Sequence, residues 1–369
     1  MILAAKRKLF AVMVLPKNAR IAGVGMTRLF KGRTTTPRST TSLLKEALDT
    51  ALSEARLSSN DLDGLIAVPS LAQPHFMEAH FQATALGLLP NPGMRVTTID
   101  TGGAGPVSAL LRAKQMVLTE NVNCVGIIAA DAVSSLDSKE FLRRADAGCQ
   151  NPEFPLESPV IPNGYSIATK YQRETYGVTK EQLAMVSVLM SVQASKHPYA
   201  LTQTPHTLED VMNATKVTDE LTTLQCAQRA DGGAAIIVAS SNFLEQRLGL
   251  DDTSESGPSG GSVILGGGEG SGPLFANNER TVDETHFSCE QACNHAFAQA
   301  QVAPKDIDFF GLYDCFPICF IRALEAVKLA EKGQGGTYVE KIYTKYMQTG
   351  TLEPGDFPVN THGGLLAFG

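Results

Sequence analysis

Two parts of this chain repeat each other. The stretch ALSEARLSSNDLD, which begins at Ala51, and AFAQAQVAPKDID, which begins at Ala296, share alanines, acidic residues and aliphatic residues at one constant offset. Upstream of each stretch, the pattern Ile-x-Gly-x-Gly starts at Ile21 and again at Ile264. Two matches in the same order indicate a duplicated unit, in which strand, helix and strand follow one another in the same phase.

The hydrophobic pattern predicts an α/β protein. Apolar residues recur at helical spacing in residues 41–57 and 106–117. The apolar runs 124–130 and 232–239 are typical of strands in a sheet covered on both faces, and 96–99 is a shorter β-branched strand. Residues 134–220 are more polar and more helical, which favours an excursion from the sheet.

Composition excludes several classes of protein. A chain of 369 residues is long enough for two domains or one duplicated domain. The net charge of −7 gives no electrostatic footprint for nucleic acid. No apolar run approaches the roughly 18 residues that a membrane span requires. Seven scattered cysteines suggest a reducing compartment. Cys289 with Cys293 and Cys315 with Cys319 have i, i+4 spacing, and either ligate zinc or line helix faces.

The first residues have a biased charge. Residues 1–45 contain no Asp or Glu, and residues 1–20 are basic and apolar. This composition is typical of a transit segment, so we expect import into mitochondria; a solvated basic tail is the alternative reading. Peroxisomal and cytoplasmic locations are the alternatives for the whole protein.

The stretch 306–327 predicts a ligand-binding edge. Its apolar run 307–312 indicates a buried strand, and residues 318–327 have helical periodicity. Between them lie Tyr313, Asp314, Cys315 and Phe316. A turn from strand to helix lies at the carboxyl edge of a sheet, where open α/β folds bind ligands.

The tetrapeptide YDCF resembles the HDCF fingerprint of sterol-carrier-protein thiolases, with tyrosine in place of histidine, and is most similar to the thiolase-like subgroup that carries YDCF. The stretches LTTLQCAQRADGGAAIIVAS and FPVNTHGG resemble further segments of that family. The resemblance implies the thiolase fold: two duplicated βαβαβ halves in five α-β-α-β-α layers, with an inserted loop domain. It also implies a homodimer paired through residues 96–99.

The resemblance assigns domain limits. Residues 1–20 are the basic segment, and residues 21–133 with 221–250 form the first half. The loop domain is 134–220, the Gly/Ser-rich linker is 251–261, and the second half is 262–369. In the family a Gly-His-Pro triplet follows the segment that FPVNTHGG resembles, so we expect the second half to continue beyond Gly369.

The family's nucleophilic cysteine lies on the turn after the third strand. Here that turn is DTGGAGP, residues 100–106, and Gly103 takes the place of the cysteine. The resemblance therefore implies that the usual acyl-enzyme does not form. The backbone N–H of Gly103 still suits an oxyanion hole, and Gly102 and Ala104 are expected to contact the substrate.

The same resemblance implies roles for residues 313–316 and for residues 362–364. Tyr313 faces the acyl group, where its phenol donates a hydrogen bond to an enolate or transfers a proton. Asp314 holds the turn by accepting backbone N–H bonds, and Phe316 packs against the ligand. Cys315 accompanies the nucleophile in the family rather than replacing it. His362, Gly363 and Gly364 are candidate substrate-binding residues, although His362 does not match the position of the family histidine.

These roles predict an acyl-CoA-binding enzyme of lipid metabolism that stabilises a thioester enolate without a cysteine nucleophile. Decarboxylation of a malonyl-type thioester and binding of 3-oxoacyl-CoA fit this chemistry. One alternative is a retro-aldolase that cleaves 3-hydroxyacyl-CoA together with an OB-fold partner protein. Another is a non-catalytic acyl-CoA-binding scaffold. No cofactor is expected beyond the coenzyme A thioester itself.

Overall fold

A computed structural model describes residues 3–5, 18–32, 38–249, 261–277 and 279–369. Most of the predicted transit segment 1–20 and residues 251–260 of the predicted linker lie outside this described part. Its strands are β1 (Leu3–Ala5), β2 (Ala19–Met26), β3 (Gly64–Val68), β4 (Arg95–Thr98), β5 (Cys124–Asp131), β6 (Gly232–Ser240), β7 (Ser262–Val263) and β8 (Ile307–Phe310). Its helices are α1 (Thr40–Glu54), α2 (Glu78–Ala85), α3 (Gly105–Thr119), α4 (Ser138–Ala147), α5 (Val160–Tyr176), α6 (Lys180–Ala194), α7 (Leu208–Asn213), α8 (Ser241–Leu248), α9 (Cys289–Ala300), α10 (Pro317–Ala326), α11 (Gly335–Thr349) and α12 (Gly364–Ala367).

The chain divides into two compact units. The first, here called the sheet unit, contains residues 8–136 and 230–265. The second, the helical unit, contains residues 1–7, 137–229 and 266–369. Residues of the predicted loop domain thus belong to the same unit as those of the predicted second half. The finer division into halves, insertion and linker stays a prediction.

The sheet unit is built on six strands in the order β4-β3-β5-β6-β2-β7. Strand β3 runs parallel to β4 and β5, while β6 runs antiparallel to β5 and β2. Successive residues of β3 enter different cores: Leu65 packs in a cluster with helix α1, and Ile66 packs in a cluster with helix α3. Both faces of the sheet are therefore covered, which explains why residues 124–130 of β5 are an unbroken apolar run.

The duplicated sequence corresponds to a duplicated contact. Gly23 on β2 lies so close to helix α1 that a Cβ would overlap the carbonyl oxygen of Ala51. In the helical unit, Gly266 lies as close to helix α9, where a Cβ would come within 2.7 Å of the carbonyl oxygen of Ala296. Ala51 and Ala296 are partners in the repeat. Both glycines are required because the extended segment and the helix touch through their backbones.

The second copy is less regular than predicted. The repeat predicts a strand at the second Ile-x-Gly-x-Gly pattern, which starts at Ile264, but β7 ends at Val263 and residues 264–277 form no strand. Glycine-rich backbone has low strand propensity and no side chains to pack, which explains the difference. The mixed α/β architecture of the predicted thiolase fold is nevertheless confirmed.

The helical unit carries the strand, turn and helix that the sequence predicted at 306–327. Strand β8 pairs antiparallel with β1 and leads through residues 311–316 into helix α10. The strand ends at Phe310, two residues earlier than its apolar run suggested. Helix α6 is buried along most of its length, and it contacts α7, α10, α11 and α12. Within the described residues, no helix is long and apolar enough to cross a membrane.

Candidate active site in the helical unit

The YDCF loop, residues 313–316, connects β8 to α10. Phe316 is the N-cap of α10, and Pro317 occupies the first turn, where its fixed φ favours the helix and its missing N–H costs nothing. On the other side, Phe310 donates its N–H to Pro358 O over 2.8 Å and accepts from Asn360 N over 3.1 Å. The FPVNTHGG stretch therefore runs beside β8.

Asn360 fastens the YDCF loop to that segment. Its Oδ1 accepts the N–H of Leu312 over 2.8 Å, and its Nδ2 donates to the carbonyl of Leu312 over 2.9 Å. The side chain is buried, and its φ of 44° is in the left-handed region that asparagine tolerates better than most residues. A two-point contact of this kind fixes the residue immediately before Tyr313.

The Asp314 carboxylate ties the loop to helix α12. It accepts the N–H of Leu365 over 2.8 Å and that of Leu366 over 3.3 Å. The side chain is fully buried, and burial raises the pKa of Asp314 to about 7 against the lowering effect of these hydrogen bonds. Asp314 therefore holds the YDCF loop against helix α12, and its role as a site residue stays a prediction.

Because the pKa of Asp314 is raised, we expect the stability of the protein to depend on pH. The folded protein retains a proton on Asp314 at pH values where the unfolded chain, with a pKa near 3.8, has lost it. Stability from this group is thus complete below pH 3.8 and is lost as the pH rises towards 7. In Asp314→Asn this pH dependence should disappear. The difference in unfolding free energy between the variant and the unaltered protein should therefore change by up to about 1.4 kcal/mol per pH unit over this pH range. Urea unfolding of both proteins between pH 4 and 7 measures it, and parallel curves would contradict the assignment.

Tyr313 presents its phenol at the carboxyl end of β8. Its side chain is 46% exposed, so a ligand has access to it. Removal from bulk water, followed by the nearby Cys315, raises the pKa of Tyr313 above its ordinary value. The phenol therefore stays protonated at neutral pH and is suited to donate a hydrogen bond rather than to act as a base.

Cys315 lies at the centre of a sulfur and phenol cluster. Its Sγ is 3.5 Å from Sγ of Cys319 in the first turn of α10. The hydrogen bond with Cys319, followed by those with the phenols of Tyr165 and Tyr313, lowers the pKa of Cys315 despite burial. Tyr165 comes from helix α5, and its ring stacks on Phe316 with ring centroids 4.5 Å apart. Phe316 thus packs against a protein ring in this structure.

Gly363 and Gly364, here called the glycine pair, are both required by close packing. Gly363 has φ of 110° and Gly364 has φ of 61°. A Cβ on Gly364 would overlap the Asp314 carboxylate, and one on Gly363 would collide with Ala194 of helix α6. Both positions require glycine, so the two glycines are explained by the close approach of helix α6 and of the Asp314 carboxylate.

His362 lies next to this pair but makes its visible contacts elsewhere. Its ring meets Phe368 edge-on at 5.2 Å, and Phe368 in turn contacts His197 at 5.0 Å. Burial, followed by the charge of His197, lowers the pKa of His362. The imidazole is therefore neutral at physiological pH, and its predicted contact with substrate stays a prediction.

Gly102, Gly103 and Ala104 belong to the sheet unit. They form a short 3₁₀ turn that leads directly into helix α3, and all three are exposed. Gly102 has φ of 57°, and a Cβ on Gly105 would press on Val68. The predicted turn into a helix is present, whereas the replacement of a nucleophile by Gly103 stays a prediction.

A cysteine at Gly103 tests that prediction. The thiol in Gly103→Cys would be exposed near the start of α3, where a helix N-terminus favours the thiolate. We expect iodoacetamide to label it before any of the seven native cysteines. Ala104→Cys is the matched control, equally exposed one residue further along. Equal labelling of all eight thiols in Gly103→Cys would show that this turn was aligned incorrectly with the family.

Two of the residues that shape the site carried no recognisable sequence signal. Tyr165 lies on helix α5, where the sequence pattern does not distinguish it from other helical residues. Asn360 lies in the FPVNTHGG stretch, where no role was predicted for it. The structure brings both to the YDCF loop. Cys319 was recognised only as half of a possible zinc pair. Among the described residues, no group of His, Cys, Asp or Glu is arranged to hold a metal ion.

The fold and these loops define a thiolase-type α/β protein, and comparisons with known proteins agree. The family model "Thiolase C-terminal domain-like" matches residues 276–369. The acetyl-CoA acetyltransferase of Methanothermobacter thermautotrophicus is 30% identical over 331 residues, which cover 89% of this chain and 80% of that protein. The chain therefore belongs to the thiolase family.

Two further similarities refine the comparison. Sterol carrier protein 2 of Bos taurus is 25% identical over 357 residues, 95% of this chain, and the match spans 62% of that longer protein. The solved structure titled "Ltp2-ChsH2(DUF35) aldolase" matches with a TM-score of 0.75 and 25% identity, covering 95% of this chain and 85% of that one. The resemblance to sterol-carrier-protein thiolases that YDCF predicted is confirmed.

Proposed function

We propose that this protein cleaves a carbon–carbon bond in a 3-hydroxyacyl-CoA thioester by a retro-aldol reaction. The observation that carries the proposal is the Tyr313 phenol, which is half-exposed and kept protonated on a loop that Asn360 and Asp314 hold fixed. The similarity to an aldolase structure supports the same reaction class. The proposal rests on the helical unit alone.

The reaction requires a hydrogen-bond donor of this kind. The substrate hydroxyl gives its proton to solvent, the bond between the α and β carbons breaks, and a ketone or aldehyde leaves. The electron pair passes to the thioester, whose oxygen carries the charge of the enolate. A neutral phenol directed at that oxygen stabilises the enolate, and a rigid loop supplies it without reorganisation. A proton from solvent then adds to the α carbon, and a shortened acyl-CoA is released.

Decarboxylation of a malonyl-type thioester is the second candidate. The raised pKa of Tyr313 favours it specifically, because loss of carbon dioxide forms the same enolate and needs a donor but no base at this position. Both candidates agree with the sequence, in which no cysteine occupies residues 100–106.

A panel of substrates separates the candidates. Purified protein is incubated with a tertiary 3-hydroxyacyl-CoA, with malonyl-CoA, and with a 3-oxoacyl-CoA plus free coenzyme A, each with and without a small OB-fold partner protein. Release of a ketone and a shortened acyl-CoA from the first supports the lyase. Carbon dioxide from the second supports decarboxylation, and thiolysis of the third would contradict both. Binding of all three without turnover would favour an acyl-CoA scaffold.

We also propose that the protein is a homodimer. Strand β4 is an edge strand of the six-stranded sheet, with β3 as its partner on one side. Beside it, Phe76 is fully exposed, and Met77 and Phe81 are about half-exposed. An open strand edge with exposed apolar side chains favours pairing with a second copy. Mass measurement in solution should give twice the chain mass, and a monomer at micromolar concentration would contradict the proposal.

A further inference from the structure

We propose that Cys315 and Cys319 form a peroxide-sensitive pair that closes to an intramolecular disulfide. Their sulfur atoms are already 3.5 Å apart, and a disulfide requires about 2 Å. Cys315 precedes helix α10, while Cys319 lies in its first turn. The loop residue is therefore outside the helical hydrogen-bond ladder, and a small rotation of its side chain can close the gap.

The surroundings of the two sulfurs differ in a way that assigns each a role. Cys315 receives hydrogen bonds from Cys319, Tyr165 and Tyr313, which favour its thiolate. Burial raises the pKa of Cys319 well above its ordinary value, so that it remains a thiol. A thiolate beside a neutral thiol is the arrangement found in redox-sensitive cysteine pairs. Cys315 is thus the attacking sulfur and Cys319 the resolving one.

The other cysteines lack this arrangement. All seven lie in the described residues, and only at Cys315 is the pKa lowered. Burial raises the pKa of Cys293 and of Cys226 to about 11, and it also raises that of Cys289. Cys289 and Cys293 share the i, i+4 spacing on helix α9 and provide an internal control of equal spacing.

The reaction balances with hydrogen peroxide as the oxidant. The Cys315 thiolate attacks one peroxide oxygen, the oxygen–oxygen bond breaks, and hydroxide leaves while Cys315 becomes a sulfenic acid. The Cys319 thiol then attacks the Cys315 sulfur, and the sulfenic oxygen departs as water after taking up the thiol proton. In sum, two thiols and one peroxide give one disulfide and two waters. Formation of the disulfide removes the sulfur partner of the Tyr313 phenol.

The experiment uses the full-length protein and a stoichiometric excess of hydrogen peroxide. After quenching with iodoacetamide, trypsin releases residues 306–322 as one peptide that contains both cysteines. In the oxidised sample this peptide should be two hydrogens lighter than its reduced form and carry no label. Its thiols should disappear at least about tenfold faster than that of Cys293, whose pKa burial raises to about 11, and faster than that of Cys289, since each pKa unit changes the thiolate fraction tenfold. Dithiothreitol should restore labelling.

Cys319→Ser provides the second arm. Without the resolving thiol, peroxide should leave a sulfenic acid on Cys315 that dimedone traps, and the lighter peptide should be absent. Two results would overturn the proposal. One is oxidation of the pair no faster than that of Cys289 and Cys293 in the unaltered protein. The other is a disulfide that joins Cys315 to Cys226, which contacts the same apolar cluster, instead of to Cys319.

Discussion

Replacing Tyr313 with phenylalanine is expected to lower the rate of carbon–carbon cleavage by about 100- to 1000-fold and to leave acyl-CoA affinity within a few-fold. The ring and its packing remain, so only the hydrogen bond to the enolate oxygen is lost. That bond matters in the transition state, where charge on the oxygen is greatest, and much less in the bound substrate. The effect should therefore appear in kcat, with little change in KM.

Tyr199→Phe is the control for this variant. Tyr199 is 56% exposed in the same unit, close to the exposure of Tyr313, and the function proposed above gives it no role. Removal of the Tyr199 hydroxyl group should leave both kcat and KM unchanged. If Tyr313→Phe also left the rate unchanged, the phenol would be a packing group. A large loss of affinity with normal turnover would instead make Tyr313 a binding residue and favour the scaffold.

Local patterns in the sequence predicted the elements that present the site. The apolar run before Tyr313 and the helical period after it describe one strand and one helix, and both form where expected. The repeat around Ala51 and Ala296 was visible because a glycine and an alanine are both needed where backbone meets helix. Such signals lie within a few residues of each other, so a single sequence contains them.

The contacts that shape the site were less accessible to sequence reasoning. Tyr165 reaches Phe316 from a helix far away along the chain, and Asn360 reaches Leu312 across a similar tertiary contact. Neither tyrosine in a helix nor asparagine in a loop is unusual by itself. The pKa values of Asp314 and Cys315 likewise follow from burial and from partners that only the folded chain brings together.

The second large effect is expected for Gly364→Ala, which should destabilise the protein by about 3 kcal/mol or more. An alanine Cβ would overlap the Asp314 carboxylate, so the carboxylate must leave the N–H groups of Leu365 and Leu366. Outside that arrangement a buried carboxyl group has lost its hydrogen bonds, and this loss adds to the backbone strain at φ of 61°.

A matched glycine separates the two contributions. Gly350 has φ of 69° at the end of helix α11, and a Cβ there would meet no atom within 4 Å. Gly350→Ala should thus cost only the left-handed strain of about 1–2 kcal/mol. In an Asp314→Ala background the carboxylate is absent, and Gly364→Ala should then cost no more than Gly350→Ala does. Urea unfolding of the single and double variants measures this coupling. Equal costs for Gly364→Ala with and without the Asp314 side chain would show that the glycine pair is required by the backbone alone and not by the carboxylate.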